Sequence, residues 1–389
     1  MKLKSFVLIT LGLLIILISV VNKAQYNSTL SVESENYDTQ HVYNVIQKSE
    51  ADFNKSKLDI SQQIYITCSK SVNKGGCYNF EFAKLTELNS MQYSIEVLRL
   101  LQTIDPDAKF CHLIGHAIGQ AEASKTLTLW KNLLASTTYE CTYGFIHGIV
   151  EEQGRRNPDF KIDAQLIQDV CSKVQAPHRT SAESACVHVL AHVILVQTKG
   201  NIDKALDICR DLKDFHYYDC AAGTFMENIM RFNLESLDMI SFSKTINTRL
   251  ENLEDICHSY SGLDTKACWQ EMAHAYVVAH HYNPSLIFEA CNKAQDEPSS
   301  MACALHSMDS ILPQKKYDLV TIGGICSKNK FLSNFEKECY SRVVRYMTIF
   351  FAKTEGTEKV SDFCSRAPTD IRSSCFQALD DILKEINFA

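Results

Sequence analysis

The sequence predicts an all-α chain in which helix-turn-helix units stack into a disulfide-clamped solenoid, and three observations carry that expectation. Sixteen cysteines recur at the spacing of helical units, only 14 Gly and 7 Pro punctuate 389 residues, and apolar residues return every three or four positions. Alternating strand-like runs between Asn-Gly or Asp-Gly turns are missing, so no sheet pattern competes with helix.

Taken in order, the first 24 residues read as a signal anchor or signal peptide. Phe6 to Val21 is a mostly apolar run behind Lys2 and Lys4, and no small-x-small cleavage pattern follows, because Val21, Asn22 and Lys23 precede Ala24. An uncleaved anchor with its basic end inside is preferred over secretion after cleavage. Either reading puts everything from about residue 25 outside the cytoplasm. Residues 25–40 form a polar linker, 41–67 a membrane-proximal helical segment and 68–389 the solenoid. Asn27 and Asn54 head glycosylation acceptors where such machinery exists.

Within the solenoid, seven cysteine couples lie close in sequence: Cys68 with Cys77, Cys171 with Cys186, Cys209 with Cys220, Cys257 with Cys268, Cys291 with Cys303, Cys326 with Cys339, and Cys364 with Cys375. Cys111 and Cys141 remain and are paired with each other, since adjacent stacked helices bring Cα atoms within the roughly 4.4 to 6.8 Å that a disulfide spans. An even count at regular spacing behind an apolar leader points to an oxidising compartment. There is no Cys-x-x-Cys pair, which argues against a cysteine zinc site.

From Cys77 through Cys111, Cys141, Cys186, Cys220, Cys268, Cys303 and Cys339 to Cys375, the steps are 34, 30, 45, 34, 48, 35, 36 and 36 residues. That period suits a helix-turn-helix unit of the tetratricopeptide class, with insertions in the two long steps. Each unit is expected to hold two helices, the first opening with its cysteine and the second ending near the next. Ala185 to Val196, Ile202 to Leu212 and Ala267 to Ala279 show the helical spacing best. Such units bury their apolar faces only by stacking, which creates a concave surface. Each bridge across a connecting loop contributes about 2 to 3 kcal/mol in the loop-entropy view.

Lys199-Gly200-Asn201-Ile202-Asp203-Lys204-Ala205-Leu206-Asp207-Ile208-Cys209, followed by Cys220-Ala221-Ala222-Gly223, resembles the cysteine-rich variety of Sel1-like repeat. The full motif matches around residues 185–225; elsewhere most units lack the glycines and the gaps between paired cysteines are longer. The resemblance implies a right-handed α/α solenoid with a disulfide at each junction, and binding of peptides, proteins or cell-envelope material.

The chemistry-bearing residues concentrate in three consecutive first helices. His112 and His116 follow Cys111, His147 and Glu151 follow Cys141, and His188 and His192 follow Cys186, each pair four residues apart and so on one helix face. Gly115 and Gly119 flank His116, and Gly144 and Gly148 flank His147, which allows these helices to approach closely. His116, His147 and His192 are therefore expected to converge with Glu151, with His112 and His188 as further ligands or supports. Imidazole with carboxylate suits zinc, iron or copper, and Glu151 or Glu152 is the candidate ligand or base for a metal-bound water, Glu151 first. The plain alternative is packing: His147, His192 and His274 all stand six residues after their cysteine, as reuse of one repeat position predicts. His274 lacks a partner one turn on, and His280 and His281 read as a helix end. Glu152, Arg155 and Arg156 read as a balanced surface group, Trp130 and Trp269 as core, and Tyr217 and Tyr218 as stacking residues.

Forty-six acidic against 39 basic residues, without a basic stripe interleaved with aromatics, argue against nucleic acid. No phosphate-binding glycine loop or Gly-x-Ser-x-Gly elbow occurs. The leading functional expectation is a membrane-anchored module binding a peptide, protein or envelope polymer on its concave face. The alternative is a metal-binding protein or metal-dependent hydrolase centred on the three histidine-bearing helices.

Overall fold

The computed structural model describes residues 55–387, apart from 106–107, 109–110, 127–129, 136–139, 158–159, 175–178, 213, 231–248, 316, 329–331 and 352–355. The apolar stretch Phe6 to Val21, the 25–40 linker, Asn27 and Asn54 lie outside the described residues. Of the 41–67 segment only 55–67 is described, and it is helical: α1 runs over 55–68. Among the described residues no helix is long and apolar enough to cross a membrane.

The described residues are all-helical and coil as a solenoid of two layers. The inner layer holds α2 (Lys74–Leu88), α4 (His112–Lys125), α6 (Gly144–Arg156), α8 (Arg179–Gln197), α10 (Asp214–Met230), α12 (Leu263–Ala279), α14 (Glu297–Gln314), α16 (Phe335–Phe351) and α18 (Thr369–Asn387). Each of these packs on the next. The outer layer holds α3 (Met91–Ile104), α5 (Trp130–Ala135), α7 (Ala164–Cys171), α9 (Ile202–Arg210), α11 (Leu250–His258), α13 (Pro284–Cys291), α15 (Leu319–Lys328) and α17 (Gly356–Ser365).

Local chemistry starts these helices where the chain turns. Ser90, Asp163, Asn201 and Asn283 cap α3, α7, α9 and α13, each accepting a first-turn backbone N–H, and Asp296 does the same for α14. Such a cap contributes about 1 kcal/mol. Gly200, at φ +78°, ends α8 by donating its N–H back to the Leu195 carbonyl, a reversal that its missing Cβ makes easy.

The apolar residues between the layers form two clusters. One gathers Phe82, Leu98, Ile118 and Phe145; the other Phe225, Trp269, Tyr276, Phe288 and Phe335. Trp269 is fully buried, and Trp130 packs edge-on against Phe160. Burying each such side chain contributes about 1.5 to 3 kcal/mol.

Eight disulfides join Cys68–Cys77, Cys111–Cys141, Cys171–Cys186, Cys209–Cys220, Cys257–Cys268, Cys291–Cys303, Cys326–Cys339 and Cys364–Cys375, with Cα atoms 4.9 to 5.6 Å apart. They indicate an oxidising, extracytoplasmic setting. One detail differs from the sequence reading. From α8 onward the inner helices do not open with their cysteines: α14, for example, starts at Glu297 and carries Cys303 more than a turn inside. From α7 onward the last turn of each outer helix lies beside an early turn of the next inner helix, and the bridge crosses there. The coil also returns on itself, because α16 packs against the 3-10 turn Glu140–Tyr143 that precedes α6.

Candidate metal centre

α4 and α6 form the most extensively packed helix pair among the described residues, and glycine is the reason. A Cβ added at Gly144 or Gly148 would collide with the carbonyl oxygens of His112 and His116, and one at Gly119 with that of Phe145. At Gly115 it would stand 3.1 Å from Gly144 Cα. The backbones thus touch where larger residues would hold them at the ordinary 8 to 10 Å interaxial distance. The Cys111–Cys141 bridge fixes the turn before α6, in which Cys141 and Tyr143 take left-handed φ values of +56° and +61°. That turn aims the Cys141 carbonyl at His112.

Three imidazoles meet across this contact. Ring centroids are 4.7 Å apart for His112 and His116, 4.9 Å for His112 and His147, and 4.8 Å for His116 and His147. One ligand nitrogen from each lies within 4.8 Å of the other two.

The hydrogen bonds assign the protons. His112 Nδ1 lies 3.1 Å from the Cys141 carbonyl oxygen, which can only accept, so Nδ1 carries the hydrogen and Nε2 the lone pair. His116 Nδ1 lies 3.1 Å from Glu151 Oε2, which accepts its hydrogen, and His116 Nε2 is the atom turned toward the other rings. Those two Nε2 atoms face each other at 3.1 Å. Two lone pairs at that distance repel unless a cation or a proton sits between them.

Burial, with the neighbouring His116 second, pushes His112 down to about 3. Burial followed by the surrounding histidines holds His147 well below the ordinary histidine range. Both rings are therefore neutral ligand bases at neutral pH. Burial alone would raise Glu151, but the His116 pair and the hydrogen bonds from His116 and Gln120 outweigh it and lower the carboxyl.

This geometry revises two expectations. Glu151 stands behind His116, where its Oε2 accepts from His116 Nδ1 and, at 3.0 Å, from Gln120 Nε2. It orients the ring, and it is not among the three groups whose ligand atoms converge. The triad is closed by His112, not by His192. His192 gives its Nδ1 to Glu227 Oε2 at 3.2 Å with its ring 5.4 Å from that of His147, and His188 Nε2 lies 3.1 Å from Met226 Sδ. The cause is again a glycine: a Cβ at Gly223 would collide with the His188 carbonyl, so α8 makes its close approach to α10. Burial pushes His188 down to about 3.

The remaining candidates have local partners. Glu152, buried, holds Arg155 through two hydrogen bonds of 2.9 and 2.8 Å and also pairs with Arg156. Tyr217 hydroxyl donates to Asp264, and Tyr218 hydroxyl to Gln270 Oε1 at 2.8 Å. His280 caps α12 and His281 is exposed beyond it. His274 lies on the inner face of α12 beside Glu271 and His306.

Gln120, Met226 and Glu227 carry no motif of their own in the sequence. A register finds part of them: the residue six after an inner-helix cysteine is His147, His192, Met226, His274 and Asp309 in successive units, and three after it stand Glu271, His306 and Arg342. No family model matches the chain, and no curated protein or solved structure matches it either.

Proposed function

We propose that the chain is an extracytoplasmic metalloprotein in which His112, His116 and His147 hold a first-row transition ion of the zinc, copper or iron kind. The observation that carries this reading is the pair of Nε2 atoms facing each other at 3.1 Å beside a third imidazole whose ligand nitrogen lies within 4.8 Å of both. A cation between them removes the lone-pair repulsion and uses three nitrogen donors, two of them with Nδ1 already engaged. The Cys141 carbonyl and the Glu151 carboxylate behind His112 and His116 are the kind of partners that orient ligating histidines and raise their basicity. Three imidazole ligands leave a coordination position open, the arrangement of a catalytic rather than a closed structural site. Such an ion supplies Lewis acidity toward water or a polar substrate, which favours metal-dependent chemistry over simple storage.

Attachment to a membrane through Phe6 to Val21, and the Sel1-like character of the 185–225 stretch, belong to the same reading. Binding of a peptide or envelope polymer on the concave face ranks second, because the inner helices devote their inward positions to histidines and carboxylates. Elemental analysis of the purified full chain tests the first reading. It should retain about one equivalent of a transition metal at this site, and His147→Ala should lose that equivalent with helicity and disulfides intact. A wild-type chain that takes up no transition ion would falsify it.

A further inference from the structure

We infer that the protein carries a second metal site, formed by Glu271 and His274 of α12 with His306 of α14, that takes a first-row divalent transition ion through one carboxylate and two imidazoles. The three ligand atoms lie within 4.8 Å of one another. His274 Nε2 and His306 Nε2 face each other at 3.0 Å, from two different helices. Glu271 Oε2 stands 3.4 Å from the first and 3.8 Å from the second.

The carboxylate is the decisive group. Glu271 is completely buried, and its Oε2 makes no well-aligned hydrogen bond, its polar neighbours being His274 Nε2 and His306 Nε2. Its other oxygen accepts from Gln270 Nε2 at 2.8 Å, and Gln270 Oε1 in turn accepts from Tyr218. A buried carboxylate oxygen left bare costs several kcal/mol unless a cation meets it. A chain of side chains thus aims that oxygen into the gap between two imidazole nitrogens.

The support behind the rings repeats the logic of the first centre with different parts. His306 Nδ1 faces Asp309 Oδ2 at 3.6 Å, and Asp309 is clamped by both arms of Arg342 on α16. Asp309 is thereby held on the Nδ1 side of His306, while Nε2 faces His274. Two histidines and one carboxylate around open positions make a donor set suited to iron(II), cobalt(II) or zinc, harder than three imidazoles. The site shares an interior with the first: His188, between them, lies within electrostatic reach of Glu271, His306 and His274.

Cobalt(II) is the probe, because it substitutes for these ions and absorbs visible light. The full chain, stripped with chelator and titrated with cobalt(II), should bind two ions. His147→Ala should bind one, His306→Ala one, and the double variant none. The isosteric Glu271→Gln keeps both imidazoles and should weaken the second ion at least tenfold, with far-UV circular dichroism and intact disulfides verifying the fold. If His306→Ala still binds as many ions as wild type and Glu271→Gln binds them as tightly, the second site is wrong and the trio is a structural imidazolium–carboxylate cluster. An ion lost only in His147→Ala bears on the first centre alone and overturns the second; a wild type that takes no cobalt overturns both.

Discussion

The two clusters on the inner face reach the same arrangement, a pair of Nε2 atoms about 3 Å apart with a carboxylate at hand, by different routes. In the N-terminal cluster both facing nitrogens come from one helix, His112 and His116 being a single turn apart, and the neighbouring helix is brought in by glycines. In the C-terminal cluster the facing nitrogens come from α12 and α14, and the carboxylate is itself among the converging atoms. The first is a backbone solution and the second a side-chain solution. One depends on what is absent at Gly119, Gly144 and Gly148; the other on what is present at Glu271, Asp309 and Arg342.

That difference predicts where each cluster breaks. The largest effect should come from Gly148→Ala, whose Cβ meets the His116 carbonyl. Overpacking of this kind costs about 1 to 3 kcal/mol, so the urea midpoint should fall and the first ion be lost while the second stays. Next comes Arg342→Met, which releases Asp309 and with it the His306 ring. The second ion should then bind about tenfold to a hundredfold more weakly, with the first unchanged, as competition with a chelator will measure. Glu151→Gln is the matching change at the first centre and should weaken the first ion by about tenfold, because a neutral amide then stands behind His116 Nδ1 in place of the carboxylate.

The smallest effect should be at Asp219 on α10, the helix between the two clusters. Burial pushes its carboxyl up to about 6, against a reference of 3.8 for the unfolded chain, with a Ser184 hydrogen bond pulling the other way. The folded state thus holds a proton that the unfolded state has already released, and stability falls as pH rises from about 4 through 6. Asp219→Asn should raise the thermal midpoint at pH 7.5, change it little at pH 4 and leave both ions bound. A pH-independent effect would mean that packing, not ionisation, governs the site.

How legible each region is in the sequence follows from the same contrast. His112 with His116 is an i, i+4 pair within one helix, and the glycines around His116 and His147 signal a close contact, so the N-terminal cluster can be read from local pattern. Which third histidine joins cannot, because it depends on whether α8 leans toward α6 or α10, and Gly223 decides that from the partner helix. Glu271 and His306 lie 35 residues apart in sequence, each on its own helix and each without a local signal. Only the shared offset of three from Cys268 and Cys303 links them, a pattern that needs the helical phase of the cysteines first. That phase is hidden because the cysteines stand inside the inner helices and not at their starts.

Every disulfide closes a loop of between 9 and 30 residues. A chain threaded amino-end first into an oxidising compartment can therefore oxidise each couple as soon as it emerges, before the next has arrived, and mispairing between distant units is discouraged by order of appearance. The return of α16 onto the Glu140–Tyr143 turn joins segments far apart in the sequence and must await nearly the whole chain. Covalent locking is vectorial, then, whereas closure of the interior around the histidines is a terminal event, and metal delivered during export would meet the first centre before the second exists.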